Sequence, residues 1–211
     1  MIHGRLRSTA RHSKRRAEKR SAFRLSPRSG IFGSCRNIGR NRVPGGTFFF
    51  TVNLLDRRSD LLVAQIDILR DTVRRVRARA PFHIDAWVVL PDHLHCLWTL
   101  PEDDADFPGR WRAIKTAFVK CLTIGESRSP IMTSRGERGI WQRRYWEHTI
   151  RDDRDFAAHM DYTHFNPVKH GLVEHPADWP HSSFRRCVDA GLYPVGWRGA
   201  SHQPQETGER R

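Results

Sequence analysis

Hydrophobic positions along the chain follow two different patterns from residue 44 onward, continuous apolar runs and helical spacing. The run Thr47–Leu54 is almost continuously aromatic or β-branched, which predicts a buried strand. Over residues 61–79, apolar side chains recur with helical spacing and arginines occupy most of the remaining positions, which predicts an amphipathic helix. Its apolar face consists of Leu62, Ile66, Leu69, Val73 and Val76. Two further apolar runs, His83–Leu90 and His93–Leu100, flank the turn Pro91-Asp92 and predict a hairpin of two strands.

The next part of the chain predicts a helix, a loop and a strand. The helix is marked by apolar residues at helical spacing, namely Trp111, Ile114, Phe118 and Leu122. Residues 123–138 are rich in Gly, Ser, Pro and mixed charge, which is typical of a loop. Residues 140–150 predict a fourth strand.

A further helix follows this strand. Asp152 or Asp153 can cap its start, and we expect it to end near Phe165, because Pro167 disfavours a helical residue before it. A short helical piece is expected over residues 181–190. The order β-α-β-β-α-β with an added C-terminal helix predicts an α+β protein of the ferredoxin-like arrangement.

Charge separates the chain into three parts. Residues 1–43 contain 13 Lys and Arg but one acidic residue, whereas residues 44–211 contain 24 basic and 22 acidic residues. The predicted organisation is a basic, disordered arm over 1–43, a folded domain over 44–197 and a polar tail over 198–211. The arm is either a polyanion-binding tail or an extension that results from a wrongly assigned start codon, and the sequence leaves both open.

Composition excludes several classes of protein. No apolar run approaches the roughly 18 to 20 residues that a membrane span needs, and the basic N-terminus has no apolar segment behind it as a secretory signal would. The four cysteines include no C-x-x-C pair, which argues against a zinc ribbon or a disulfide framework and favours a reducing cytoplasm.

Two histidines suggest a metal site. His93 and His95 are two residues apart on a predicted strand, so their side chains point to the same face, roughly 6.5 to 7 Å apart along the backbone. Imidazoles at that separation can converge on one metal ion. The alternative is a pair of surface histidines at a sheet edge.

Tyr162 and Asn166 form a second candidate group. Residues four apart lie on one face of a helix, one turn apart. Phe156 and Met160 would form the core stripe of this helix, and Tyr162 would be turned away from it, which is unusual for a packing residue. The alternatives are an amphipathic tyrosine at the edge of the core and an asparagine that merely ends the helix.

Aromatic and basic residues alternate over Trp141–His148. This interleaving suits stacking on nucleic-acid bases and contacts to phosphates. An edge strand with a solvated, charged face would give the same pattern.

Taken together, these residues resemble the REP-associated tyrosine transposases, a branch of the single-tyrosine HUH endonucleases. The resemblance covers about residues 44–197, in order and at the family's spacing. It is carried by Gly46–Val52, Ala86–His95, Ile140–Gln142, Trp146–Arg151, Asp161–Tyr162, Asn166–Gly171 and Trp179–Phe184. The N-terminal arm, the long loop at 123–138 and His170, where many relatives have a small residue, depart from the family pattern.

The resemblance implies a metal-dependent enzyme that cleaves and rejoins single-stranded DNA at repetitive extragenic palindromes (REPs). His93 and His95 would hold Mg²⁺ or Mn²⁺ with Asn166 as an amide ligand, and Tyr162 would form a 5′-phosphotyrosine intermediate. The candidates for contacts to the hairpin DNA are Arg143, Arg144, Trp146, Lys169 and His170.

The chemistry is consistent with the rest of the sequence. A covalent intermediate conserves the energy of the broken bond, so rejoining needs no nucleotide cofactor, and the sequence contains no Walker loop. We expect a monomer or homodimer in the bacterial cytoplasm, associated with the nucleoid and not with a membrane. The alternative function is a protein of the same fold that binds hairpin DNA or RNA without cutting it.

Overall fold

The computed structural model describes residues 42–122, 139–199 and 207–208. Residues 1–41 of the predicted disordered arm, the loop at 123–138 and most of the polar tail therefore lie outside the described residues. Within the described residues, no helix is both long enough and apolar enough to cross a membrane.

The protein consists of a four-stranded sheet with helices on both faces. The strands are β1 (Thr47–Asn53), β2 (His83–Val89), β3 (His93–Thr99) and β4 (Trp146–Thr149). The helices are α1 (Leu61–Ala64), α2 (Ile66–Arg79), α3 (Phe107–Cys121), α4 (Asp153–Lys169) and α5 (Phe184–Asp189), with a 3₁₀ turn at Pro176–Asp178. The strand order is β2-β3-β1-β4, and every neighbouring pair is antiparallel. This confirms the predicted α+β, ferredoxin-like arrangement, with α4 as the added helix.

Alternation along β1 and β3 creates two distinct faces. Phe48, Phe50 and Val52 pack with α2 and α3, and Trp98 of β3 stacks on Trp111 of α3 at 4.3 Å between ring centroids. Phe49 points the other way, into a second core under α4. Because residues two apart on a strand share a face, His93 and His95 lie on the α4 side with Leu97.

Two predicted elements are shorter or divided. The helix predicted over 61–79 is interrupted at Gln65, because the single turn α1 is held separately by a hydrogen bond from the Leu62 amide to the Pro91 carbonyl of the β2–β3 turn. The strand predicted over 140–150 is reduced to β4, because β1 pairs with it only along Phe48–Thr51, and Trp141 makes one isolated bridge to Leu54.

The helix boundary near Pro167 was also predicted wrongly. α4 continues through Pro167 to Lys169, because a proline near a helix C-terminus removes one backbone hydrogen bond but does not prevent a last turn. The helix ends at Lys169, and the chain turns at Gly171, whose φ of 67° is favourable for glycine. Its amide donates to the Val168 carbonyl at 2.9 Å. Lys169 and His170 are consequently carried on the end of α4.

Candidate active site

The two histidines of β3 point to the same face of the sheet, as their spacing predicted, and α4 covers that face. Both side chains are buried, and their ring centroids lie 5.0 Å apart at a steep angle. The ring of His95 also contacts the ring of Tyr162 from α4, with 5.3 Å between the centroids. A central strand and the last long helix therefore bring two imidazoles and one phenol into a single group.

The Nδ1 atom of each histidine is held by a neighbouring side chain. His93 Nδ1 lies 2.7 Å from Asp92 Oδ1, and the other carboxylate oxygen of Asp92 pairs with Arg57 Nε at 2.9 Å. His95 Nδ1 lies 2.9 Å from Thr51 Oγ1. The Thr51 hydroxyl donates its proton to the Thr207 carbonyl at 2.5 Å, so its lone pair accepts the proton of His95 Nδ1.

These contacts select Nε2 of both histidines as the atoms that could coordinate a metal. Partial burial raises the pKa of Asp92, but the hydrogen bond with His93 and the nearby charges outweigh it, so the pKa lies below its ordinary value. An ionised carboxylate on the Nδ1 side is the usual partner of a metal-ligating histidine. The pair is thus oriented as metal ligands are.

Tyr162 is buried in the same cluster as Phe156 and Met160, contrary to the expectation that it would be turned away from that stripe. It is 3% exposed and packs with Met160 against Phe49 of β1. The prediction was wrong because α4 is buried on two sides. The sheet covers one side, and α5 and its surroundings cover another, where His164 contacts Phe184 and Tyr193.

The phenol oxygen of Tyr162 lies beside an ammonium group. Lys169 Nζ donates to Tyr162 Oη at 3.0 Å and lies 4.7 Å from the ring centroid. Tyr193 shows the opposite environment, because burial and its hydrogen bond to Asp161 Oδ1, 2.7 Å long, raise its pKa far above the ordinary value. Of these two phenols, the one beside Lys169 is therefore much better placed to react as an anion.

The other predicted site residues on α4 also lie near this group. Asn166 is one helical turn after Tyr162 and fully buried. His170 follows the end of α4, and its ring centroid is 5.1 Å from that of His93. The end of α4 is therefore folded over the histidine pair.

The predicted DNA-contacting residues near β4 are split between two faces of the sheet. Trp146 pairs with Thr51, which in turn pairs with His95, so it lies on the face of the histidines and is 37% exposed. Arg143 and Arg144 are exposed in the segment before β4. Arg143 lines a cavity beside α3, on the other face.

A second group of possible metal ligands was missed by the sequence analysis. Asp155 accepts hydrogen bonds from two rings, at 2.8 Å to His148 Nε2 and 3.0 Å to His159 Nδ1. The ligand atoms of these three residues lie within 4.8 Å of one another. The Phe49 ring separates this group from His95, with centroid distances of 4.7 Å to His159 and 5.6 Å to His95. The i, i+4 spacing of Asp155 and His159 is the signal that could have suggested it.

Hydrogen bonds alone account for the geometry of this second group. Asp155 also accepts from the Arg151 amide at 3.0 Å. Burial raises the pKa of Asp155, but the hydrogen bonds from His148 and Arg151 outweigh it and leave the pKa lowered. Burial lowers the pKa of His159, whose Nδ1 also lies 2.9 Å from the Asp155 carbonyl. A metal here would have to displace contacts that are already made.

Comparison with known proteins identifies the family. No protein-family model matches the chain. A REP-associated tyrosine transposase of Escherichia coli (strain K12) is 49% identical over 160 residues, which are 76% of this chain and 89% of that protein. The chain belongs to the family of REP-associated tyrosine transposases.

Further relatives agree with this assignment. A Haemophilus influenzae protein, assigned provisionally to the same family, is 43% identical over 168 residues, covering 77% of this chain and 93% of the relative. A solved structure of a REP-associated tyrosine transposase bound to a REP hairpin matches with a TM-score of 0.71 and 46% identity, covering 84% of this chain and 99% of that one. The resemblance to REP-associated tyrosine transposases is thereby confirmed, and so is the fold.

Helix α4 of this transposase-family protein contains a buried histidine, His164, whose titration should affect the pH dependence of stability. Burial lowers the pKa of His164 to about 3, and its Nε2 lies 2.9 Å from Ser183 Oγ. The unfolded chain binds a proton at this histidine below about pH 6.5, whereas the folded protein does not. Stability contributed by neutral His164 is therefore fully present above pH 6.5 and decreases as the pH falls toward 3.

We expect the free energy of unfolding to decrease by about 2 kcal/mol between about pH 7.5 and pH 5 because of His164. Urea unfolding at both pH values measures this decrease. His164→Gln should reduce the difference between the two pH values. An equal pH dependence in the wild type and in His164→Gln would contradict the prediction.

Proposed function

We propose that this transposase-family protein cleaves and rejoins single-stranded DNA beside a palindromic hairpin, with Tyr162 as the nucleophile. The observation that carries the proposal is the contact of Tyr162 with both a cation and His95, one member of the histidine pair. Its oxygen lies 3.0 Å from Lys169 Nζ, and its ring lies 5.3 Å from that of His95. This arrangement unites a nucleophile, a charge that favours its anionic form and two possible metal ligands.

The proposed reaction is a transesterification. The phenolate oxygen of Tyr162 attacks phosphorus, a 5′-phosphotyrosine bond forms, and the bond from phosphorus to the 3′ oxygen breaks. The departing 3′ oxygen takes up a proton, and the phenol loses its own proton to solvent. Attack by another 3′-hydroxyl reverses these changes and restores the phenol. The number of phosphodiester bonds is conserved, so no nucleotide cofactor is consumed.

The donor set suits a divalent cation. His93 and His95 would hold it through Nε2, since their Nδ1 atoms contact Asp92 and Thr51, and Asn166 would add an amide oxygen. When bound, Mg²⁺ or Mn²⁺ would neutralise charge on the scissile phosphate. Two imidazole ligands favour Mn²⁺ over Mg²⁺, which prefers oxygen ligands.

The substrate is inferred from the family and from the side chains around the site. The solved relative is bound to a REP hairpin, which supports hairpin DNA as the substrate here. Arg143, Arg144, Trp146, Lys169 and His170 are the proposed DNA contacts. Such a substrate would bring the protein to the nucleoid. Lys169 has a second proposed role, because its ammonium group already contacts the nucleophile.

A direct test uses an end-labelled hairpin oligonucleotide with single-stranded flanks, incubated with the protein and Mn²⁺. We expect a covalent protein–DNA adduct on denaturing electrophoresis, and mass spectrometry of the digested adduct should locate the DNA on the peptide that contains Tyr162. Binding of the hairpin without any adduct would favour the alternative, a non-catalytic hairpin-binding protein.

Lys169→Gln should slow adduct formation by about 100-fold at saturating DNA, because the phenolate loses its neighbouring positive charge. The remaining activity should increase more steeply with pH than that of the wild type, and Lys169→Arg should restore part of the rate. Single-turnover measurements across neutral to alkaline pH provide the comparison. If Lys169 only bound DNA, its loss would weaken binding and leave the saturated rate and its pH dependence unchanged.

A further inference from the structure

A basic cavity lies on the face of the sheet opposite Tyr162. Its volume is about 540 Å³, and it lies between α3 and the segment before β4. Its basic lining residues are Arg42, Arg112, Lys115 and Arg143, and its aromatic ones are Trp111 and Tyr145. The described residues that line it include no Asp or Glu. A cavity with this lining favours an anionic ligand.

The cavity is distinct from the candidate active site. Tyr145 packs against Phe50 and Trp111, which belong to the core beneath α2 and α3. Tyr162 packs against Phe49, in the core beneath α4. Adjacent residues of β1 thus mark the two faces, and a phosphate bound in the cavity cannot be the one attacked by Tyr162.

One short segment reaches both faces. Arg143 and Tyr145 line the cavity, whereas Trp146 and His148 pair with Thr51 and Phe49 on the active-site face. β4 is an edge strand of the sheet, so a ligand that occupied both faces there would have to pass around one strand only. The alternating aromatic and basic residues over 143–148 therefore contribute to two surfaces, the cavity and the active-site face.

The charged side chains of the cavity are partly held in place. Lys115 Nζ donates to the Gln142 carbonyl at 2.9 Å and lies 5.2 Å from the Tyr145 ring centroid. Arg112, by contrast, is exposed on the outer side of α3. Trp111 is fully buried, so Tyr145 is the aromatic residue of the cavity that a base could reach. Positive charge beside an aromatic ring suits single-stranded nucleic acid without a need for base pairing.

We propose that this cavity is a second binding site for single-stranded DNA, which holds the phosphodiester backbone of a segment outside the scissile one. The inference deepens the proposed function, on which it rests, because it gives the same DNA substrate a further contact around the β4 edge. The site contributes binding energy and leaves the chemical step to Tyr162.

The test measures binding of a fluorescein-labelled oligothymidylate by fluorescence anisotropy over a range of NaCl concentrations. In Arg112→Gln/Lys115→Gln, the slope of log K against log salt concentration should become less steep by about 1.4, or about 0.7 for each lost phosphate contact. Arg112→Gln alone should change it by about 0.7 and avoids the structural contact of Lys115. Arg79→Gln, exposed at the end of α2, is the control and should retain the wild-type slope.

Wild-type slopes in both cavity variants, or an equal change in Arg79→Gln, would overturn the proposal. A larger loss of binding to oligouridylate than to oligothymidylate would overturn it in favour of an RNA site. With hairpin DNA well below saturation, the Arg112→Gln variant should form the adduct more slowly than the wild type, whereas Arg79→Gln should form it at the wild-type rate. If the wild type forms no adduct at all, the proposed function fails, while the oligothymidylate slopes still decide whether the cavity binds DNA.

Discussion

Tyr162→Phe is expected to abolish the covalent protein–DNA adduct while hairpin binding is nearly unchanged. A phenylalanine ring fills the same space against Phe49 and His95 but carries no oxygen to attack phosphorus. The loss of adduct should therefore be complete. Denaturing electrophoresis measures the adduct, and a native binding assay with the same labelled hairpin measures affinity.

The chain offers matched controls because it contains three tyrosines. Tyr145→Phe and Tyr193→Phe should both retain the adduct. Tyr193 is held protonated by burial and by Asp161, and Tyr145 lies on the opposite face of the sheet. An adduct that persists in Tyr162→Phe but disappears in either control would transfer the nucleophile to that tyrosine.

The second large effect is expected for the histidine pair. His95→Ala should reduce Mn²⁺-dependent cleavage by more than about 100-fold, because one of two imidazole ligands is lost. Hairpin binding should largely persist, since His95 is fully buried and does not present a DNA-binding surface. Because the substitution leaves a cavity in the core, thermal unfolding should accompany the assay.

Asp92→Asn tests the same site with less disturbance. It removes the carboxylate that orients His93 and should lower activity or metal affinity by about 10- to 100-fold. His83→Ala, which replaces an exposed histidine on β2, is the control and should behave as the wild type.

Equal loss of DNA binding and cleavage in His95→Ala would mean that the histidine pair serves folding or DNA contact instead.

The same experiments decide between the two possible metal sites. Titration of Mn²⁺ by calorimetry should show loss of binding in His95→Ala and retention in His148→Ala. His148 belongs to the Asp155 group, in which Asp155 already contacts the rings of His148 and His159 and the Arg151 amide without an ion. The reverse result would assign the ion to that group and leave the catalytic proposal without its metal.

Much of the fold followed from local pattern. The strands around Phe49 and His95 were predictable because short, continuous runs of aromatic, β-branched and other apolar residues are typical of strands that are buried on both faces. The elements that were predicted wrongly depend on contacts between distant residues. Gln65 interrupts a regular apolar period because α1 is tied to the β2–β3 turn, and α4 continues through Pro167 because the rest of its last turn still forms.

The sequence by itself determined the strand that carries His93 and His95, the helix that carries Tyr162, and through their spacing the family to which the chain belongs. Only the tertiary structure decided that Lys169 reaches the Tyr162 oxygen, that Asp155 joins His148 to His159, and that the basic and aromatic segment before and within β4 serves two faces. The physical reason is that periodicity is a local property of the sequence, whereas tertiary contacts join residues that are distant along it. Periodicity reports which side of an element is buried, whereas a hydrogen bond or a cavity wall depends on where the end of one element lies relative to another.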